Sequence, residues 1–367
     1  MVIVSFILGL VLLIAGAEFL VRGASRLAAA LGVAPLIIGL TVVAFGTSAP
    51  EFAISLKSTF SGQAGIAIGN VIGSNIFNVL LVLGISAVVA PLVVAQQIVR
   101  LEVPLLIVFS SVVWLMSIDG KFSRPEGFFL FSSLIVYVLF LIRLSRRESR
   151  EIQQEYEVEF GKKETPDAQN YLLNITLFVV GLVLLVLGSR WLVESAVSLA
   201  KQFGLSELII GLTIIAAGTS LPEVVTSIIA SVRGERDIAV GNVMGSNLFN
   251  ILGVMGLASL LAPGGVPVSS AAINFDIPIM IAISLACLPI FFTGNKIARW
   301  EGALFLAYYA AYVLYLVLAA TQHETLPMFS NAMLYFVIPI TVVTLTILFV
   351  SALQNRYRAR VLRAQQK

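Results

Sequence analysis

Charge is what this sequence lacks most. Of its 367 residues only 12% are Asp, Glu, Lys or Arg, whereas 59% are hydrophobic and the mean hydropathy is +0.99. A soluble domain carries about a quarter charged residues, so the composition excludes that class and indicates a membrane protein. Cysteine and histidine are nearly absent too. The lone Cys287 excludes an internal disulfide, and the lone His323 leaves no histidine cluster for a metal. The first apolar run has no basic segment before it and no clear small-residue cleavage site, which predicts a retained helix rather than a removed signal peptide. A net charge of +3 and a pI near 9.0 would suit a nucleic-acid partner. The cations, however, sit in short segments between apolar runs, which membrane topology explains, so no nucleic-acid partner is expected.

A crossing helix needs about 20 apolar residues. Runs of that kind fall roughly at 2–21, 34–57, 66–90, 101–117, 127–143, 171–191, 206–231, 238–261, 272–291, 300–318 and 332–353. The prediction is an all-α membrane protein with ten transmembrane helices in two groups of five, 1–143 and 171–320. An additional C-terminal eleventh span and a basic tail fill 321–367. Residues 144–170, charged and rich in Gln and Glu, read as a cytoplasmic linker, either a solvated helix or a flexible segment. With the N-terminus outside, 18 of the 23 Lys and Arg residues fall on the cytoplasmic side and 5 outside. That split predicts a multi-pass protein of the cell (inner or plasma) membrane, N-terminus out and C-terminus in. It also supports the eleventh span, without which the Arg-rich tail would lie outside.

Shifted by 172 residues, Gly9–Asn78 falls on Gly181–Asn250 without a gap, and 36 of the 70 positions are identical. Polar and special residues coincide: Gly46 with Gly218, Thr47 with Thr219, Ser48 with Ser220, Pro50 with Pro222, Glu51 with Glu223, Ser55 with Ser227, and Asn78 with Asn250. Corresponding helices are five spans apart, and an odd offset makes the copies cross in opposite directions. Two inverted-topology five-helix repeats are the architecture of many secondary transporters, with ion sites near the midplane where broken helices meet.

The repeated stretches GLTVVAFGTSAPE (39–51) and GLTIIAAGTSLPE (211–223) place a proline and a carboxylate inside an apolar run. Pro50 and Pro222 cannot donate to the carbonyls of Gly46 and Gly218. Irregular backbone at membrane depth survives only when buried in protein or lining an aqueous cavity. Freed carbonyls, the hydroxyls of Thr47, Ser48, Thr219 and Ser220, and the carboxylates of Glu51 and Glu223 are all oxygen donors, as hard cations such as Ca²⁺ require. An intramembrane carboxylate is costly and reads as functional. The next span carries GNVIGSNIFN (69–78) and GNVMGSNLFN (241–250), whose Asn70, Ser74 and Asn78, and Asn242, Ser246 and Asn250, each line one helix face. Ser74, Ser246, Asn78 and Asn250 read as ligands. Interhelical hydrogen-bond glue is the competing reading, and it weighs most on Asn70 and Asn242. The GxxxG pairs Gly69/Gly73 and Gly241/Gly245 suit close helix packing. Glu18, Glu194, Glu102 and Asp276 read as interfacial or helix-start residues.

At these residues the chain resembles the Ca²⁺/cation antiporter superfamily and, within it, the Na⁺/Ca²⁺ exchangers. Their hallmark is a pair of inverted repeats centred on G-T-S-x-P-E and G-S-N-x-x-N/D elements. The resemblance covers both repeats and the ten-helix frame. It implies that Glu51 and Glu223 are central carboxylates shared between Ca²⁺ and Na⁺. Thr47, Ser48, Thr219 and Ser220 would line the Na⁺ sites with backbone oxygens near Ala44 and Ala216, and Ser74, Ser246, Asn78 and Asn250 would complete the cluster. It further implies alternating access, with the first and sixth spans sliding against the other eight. This sequence departs from the pattern in three ways. Many exchangers carry Asp where Asn250 stands, the eleventh span is extra, and the linker lacks a large Ca²⁺-sensing insert.

The expectation is a secondary active Na⁺/Ca²⁺ antiporter that exports Ca²⁺, with Ca²⁺, Na⁺ and the bilayer as partners and no cofactor. A H⁺/Ca²⁺ antiporter of the same superfamily is the alternative. Proton-coupled relatives replace the Thr-Ser pair with Gly-Asn-Ala-type motifs, so the four hydroxyls favour Na⁺. An intramembrane enzyme would need a nucleophile–base pair that the sequence does not supply. A passive channel is disfavoured by broken midplane helices in inverted repeats.

Overall fold

The computed structural model describes residues 2–31, 33–160, 168–203 and 216–365. These residues are almost entirely helical. In chain order the helices are α1 (Val2–Leu31), α2 (Pro35–Thr47), α3 (Ala49–Phe60), α4 (Gly65–Val89), α5 (Ile98–Ser117), α6 (Arg124–Phe160), α7 (Ala168–Gln202), α8 (Leu221–Val232), α9 (Arg236–Leu261), α10 (Ala272–Phe292), α11 (Arg299–Ala320) and α12 (Leu326–Ser351). Among the described residues nine helices are long and apolar enough to cross a membrane, and the α2–α3 pair, bent by 44°, makes a tenth when taken as one span. The seventh expected span, 206–231, is represented by α8, its first part lying outside the described residues. α12 satisfies the same length and composition as the other spans.

The expected break at Pro50 is observed two residues earlier. The helix interrupts at Ser48 and restarts at Ala49, with Pro50 in the first turn, where a missing N–H costs nothing. The second repeat does the same at Ser220, Leu221 and Pro222. Of the linker, α6 runs on as helix to Phe160, and 161–167 lie outside the described residues.

The layers follow from side-chain size. α1 packs along the length of α7, glycine against glycine. A carbon added at Gly181 would lie 2.5 Å from Leu20 N, and one at Gly16 would lie 2.7 Å from Leu185 N. Glycine is therefore required for this approach, the small-residue contact that lets helix backbones pack in lipid. α4 and α9 form the centre: 78% and 89% of their apolar windows are buried, against 6% for α11 and α12. Gly241 and Gly245 of α9 meet the α2 backbone, as the GxxxG pattern predicts. Around Gly69 and Gly73 of α4, by contrast, no described atom lies within 4 Å of an added carbon. Both border a cavity of about 430 Å³ lined also by Asp276 and Tyr312.

Two short antiparallel clips tie the repeats together. β1 (Leu92–Val93) pairs with β4 (Lys296–Ile297), and β2 (Lys121–Phe122) pairs with β3 (Val266–Pro267). Each clip joins a connection of the first repeat to one of the second, so the halves interlock as an inverted repeat requires.

Glu102 and Asp276, read as interfacial or helix-start residues, lie about one turn inside their helices. Each is the fifth residue of its helix. Glu102 is fully buried, taking hydrogen bonds from Tyr137 Oη (2.6 Å) and Gln97 Nε2 (3.0 Å). Asp276 accepts one from Tyr312 Oη (2.9 Å). Glu18 pairs with both Arg22 and Arg233, and Glu194 pairs with Arg190 at 2.8 Å.

Candidate cation site

Glu51 and Glu223 lie in the first turns of α3 and α8, where exposed backbone N–H groups and the helix dipole favour negative charge. Both are fully buried. The breaks at Ser48 and Ser220 bring the hydroxyls to the facing half. Ser220 Oγ donates to Glu51 Oε1 at 2.8 Å, and Ser48 Oγ donates to Glu223 Oε1 at 3.1 Å. Each carboxylate is thus held by the serine of the other repeat. Ser74 of α4 adds a longer bond to Glu51 Oε1 (3.4 Å) and lies 3.2 Å from Ser220 Oγ.

The threonines cross over in the same way. Thr47 Oγ1 donates to Asn242 Oδ1 at 2.9 Å, and Thr219 Oγ1 donates to Asn70 Oδ1 at 3.4 Å. Those asparagines then donate through Nδ2, Asn242 to Ser227 Oγ at 3.1 Å and Asn70 to Ser55 Oγ at 3.0 Å. The carbonyl of Ala44 lies 3.4 Å from both Thr47 Oγ1 and Ser246 Oγ. Ala216 opens the short helical turn Ala216–Gly218, and its side chain lies outside the described residues.

The repeats differ at one carbonyl. Gly218 O, which Pro222 cannot engage, accepts a hydrogen bond from Ser189 Oγ of α7 at 2.7 Å. It is already satisfied, contrary to the expectation of a free oxygen. The equivalent position in α1 is Ala17, which has no hydroxyl.

Several buried atoms have no hydrogen-bond partner among the described residues: Glu51 Oε2, Glu223 Oε2, Asn78 Oδ1 and both amide atoms of Asn250. No ion pair reaches either glutamate among the described residues, and no group of three or more acids, histidines or cysteines occurs there. Two buried carboxylates with free oxygens and no cationic side chain, ringed by hydroxyls and amide oxygens, form a hard-oxygen donor set for a cation.

The structure therefore gathers Glu51, Glu223, Ser48, Ser220, Thr47, Ser74, Ser246 and Ala44 into one network. It adds residues that the sequence reading left as glue or did not weigh. Asn70 and Asn242 bridge threonine to serine, Asn247 accepts from Asn78, and Ser189 caps a carbonyl. Asn70, Asn242, Ser55, Ser227 and the pair Asn75/Asn247 were all visible as coincidences at the 172-residue offset.

Known proteins match this chain in sequence and fold. The family described as sodium/calcium exchanger protein matches residues 1–143 and 173–318. The chain belongs to that family. Among relatives of this exchanger-family chain, the putative antiporter CaxA of Alkalimonas amylolytica is 39% identical over 311 residues, 83% of this chain and 95% of that protein. The sodium/calcium exchanger MaX1 of Methanosarcina acetivorans is 32% identical over 350 residues, 86% of this chain and 99% of that one. A solved structure of the sodium-calcium exchanger NCX_Mj, soaked with Na⁺ and Ca²⁺, superposes with a TM-score of 0.72 at 31% identity. It covers 84% of this chain and 96% of that one.

Proposed function

We propose that this exchanger-family protein is a secondary antiporter that binds Ca²⁺ between Glu51 and Glu223 and exchanges it for Na⁺, exporting Ca²⁺ by alternating access. The observation that carries the reading is the pair of fully buried carboxylates, each with one unpartnered oxygen and neither in an ion pair among the described residues. Burying such charges uncompensated costs several kcal/mol per ion. One Ca²⁺ or two Na⁺ brings the pair to neutrality, so the two ions compete for the same charges. Ser48, Ser220, Ser74, Thr47, Thr219 and Ser246 supply neutral oxygens around them, with Asn78, Asn250 and the backbone at Ala44 and Ala216 completing the set. The chemistry is ion exchange without covalent change, so the protein is a carrier and not an enzyme.

The test is ⁴⁵Ca²⁺ uptake into proteoliposomes loaded with Na⁺, against vesicles loaded with choline at equal pH and against choline vesicles carrying a pH gradient. Uptake that requires internal Na⁺ is expected. Uptake driven by the pH gradient alone would make the counter-ion H⁺ and overturn the Na⁺ assignment.

A further inference from the structure

Four asparagines sit at the centre of the molecule, Asn75 and Asn78 on α4, Asn247 and Asn250 on α9, and each is at most 1% exposed. The 172-residue offset relates Asn75 to Asn247 and Asn78 to Asn250. Asn78 Nδ2 donates to Asn247 Oδ1 at 3.1 Å. An amide has two ends with opposite hydrogen-bonding character. With its N–H₂ end held by Asn247, Asn78 is left with Oδ1 as a buried acceptor that no described group engages. The mirror bond would run from Asn250 Nδ2 to Asn75 Oδ1. Both of those atoms are buried and unpartnered among the described residues, while Asn75 Nδ2 donates to Val71 O at 2.8 Å and so keeps its oxygen presented.

We propose that Asn247 and Asn75 are positioning residues: each accepts the N–H₂ of the site asparagine on the facing helix and so turns that asparagine's carbonyl oxygen toward the cation. The proposal rests on the cation-site reading above. The first half of the device is engaged in this structure; in the second the bond is not made, and its donor and acceptor are both buried without another partner among the described residues. It also gives Asn250 a reason. A carboxylate at 250 could not donate to Asn75 Oδ1, whereas an amide can, so the mirror bond would orient both site asparagines by one rule. Ligand-orienting partners of this kind are worth about 10–100-fold in metal affinity elsewhere.

The experiment is calorimetric Ca²⁺ titration of the purified full-length protein in Na⁺-free detergent, on Asn78→Leu, Asn247→Leu and the double variant. Leucine approximates asparagine's shape. Each single change is expected to weaken Ca²⁺ by about tenfold, and the double variant by about tenfold rather than a hundredfold, because both remove the same oriented oxygen. Wild-type affinity in Asn247→Leu, or multiplying losses in the double variant, would overturn the positioning role. Glu51→Gln in the same series separates the two readings. If it binds Ca²⁺ as wild type does, the site itself fails and the positioning role with it; if it loses Ca²⁺ while Asn247→Leu does not, the positioning role alone fails. Should Asn247→Leu not give monodisperse protein, Asn75→Leu with Asn250→Leu runs the same cycle on the mirror pair. A shared loss supports the proposal and independent losses overturn it.

Discussion

Ser220 donates its hydroxyl to Glu51 at 2.8 Å although 169 residues separate them, and Ser48 returns the bond to Glu223 at 3.1 Å. Each half of the molecule holds the other's carboxylate, so neither repeat builds the site alone. The exchange is what an inverted duplication can do with a motif that ends one helix in Thr-Ser and begins the next with Pro-Glu.

Neutralising one of these carboxylates separates binding from folding. Glu51→Gln keeps the shape and an acceptor for Ser220 while removing a buried charge that no cationic side chain offsets among the described residues. In Na⁺-free, Ca²⁺-free detergent its melting temperature is expected to equal or exceed that of the wild type, because the desolvation penalty of a buried ion is several kcal/mol. Added Ca²⁺ should raise the wild-type melting temperature and leave that of the variant unmoved. A variant that melts lower without ions, yet still responds to Ca²⁺, would contradict both halves of the argument.

The Ser189–Gly218 bond gives a structural counterpart. Ser189→Ala leaves a buried backbone carbonyl without its partner, a loss of about 1–3 kcal/mol. The expected result is a lower melting temperature with Ca²⁺ affinity changed by less than about threefold, since Ser189 touches neither carboxylate. A Ca²⁺ affinity that falls with unchanged melting would instead place Ser189 in the ion site.

How much of this was legible follows from which relations are local. Pro50, Glu51 and their copies are neighbours in sequence, and the chemistry of a broken helix with an acid in its first turn can be read directly. The offset of 172 residues exposed the duplication and hence the inverted frame. What the sequence could not show is pairing across the pseudo-symmetry. Thr47 with Asn242 and Asn78 with Asn247 are 195 and 169 residues apart, and only the packing of α9 against α2 and α4 selects them. The partner of Glu102 is hidden for the same reason. Its position near the start of an apolar run points to a structural role, but that Tyr137, 35 residues on, buries and satisfies it shows only in the packing.

The glycine contact between α1 and α7 predicts a steric failure. A methyl group at Gly181 would sit 2.5 Å from Leu20 N, which is backbone and cannot rotate away. Gly181→Ala should therefore push the helices apart and cost about 1–3 kcal/mol, as overpacking does in close-packed interiors. Thermal melting checks the sign. Unchanged stability would mean that α1 and α7 separate freely, so that their contact does not fix their spacing.

The orientation can be decided because the chain's lone cysteine, Cys287, is buried and contributes no background to thiol labelling. The 18-to-5 division of Lys and Arg puts the turn before α12 outside and the α10–α11 connection inside. With an eleventh crossing, the C-terminal tail is inside as well. Gln322→Cys is exposed in the first turn and should react with a membrane-impermeant maleimide on intact cells, whereas Lys296→Cys and Lys367→Cys should react only after permeabilisation. Labelling of Lys367→Cys together with Gln322→Cys on intact cells would show that α12 does not cross. Labelling of Lys296→Cys and Lys367→Cys but not of Gln322→Cys on intact cells would show the whole topology to be inverted, and with it the direction in which Ca²⁺ is carried.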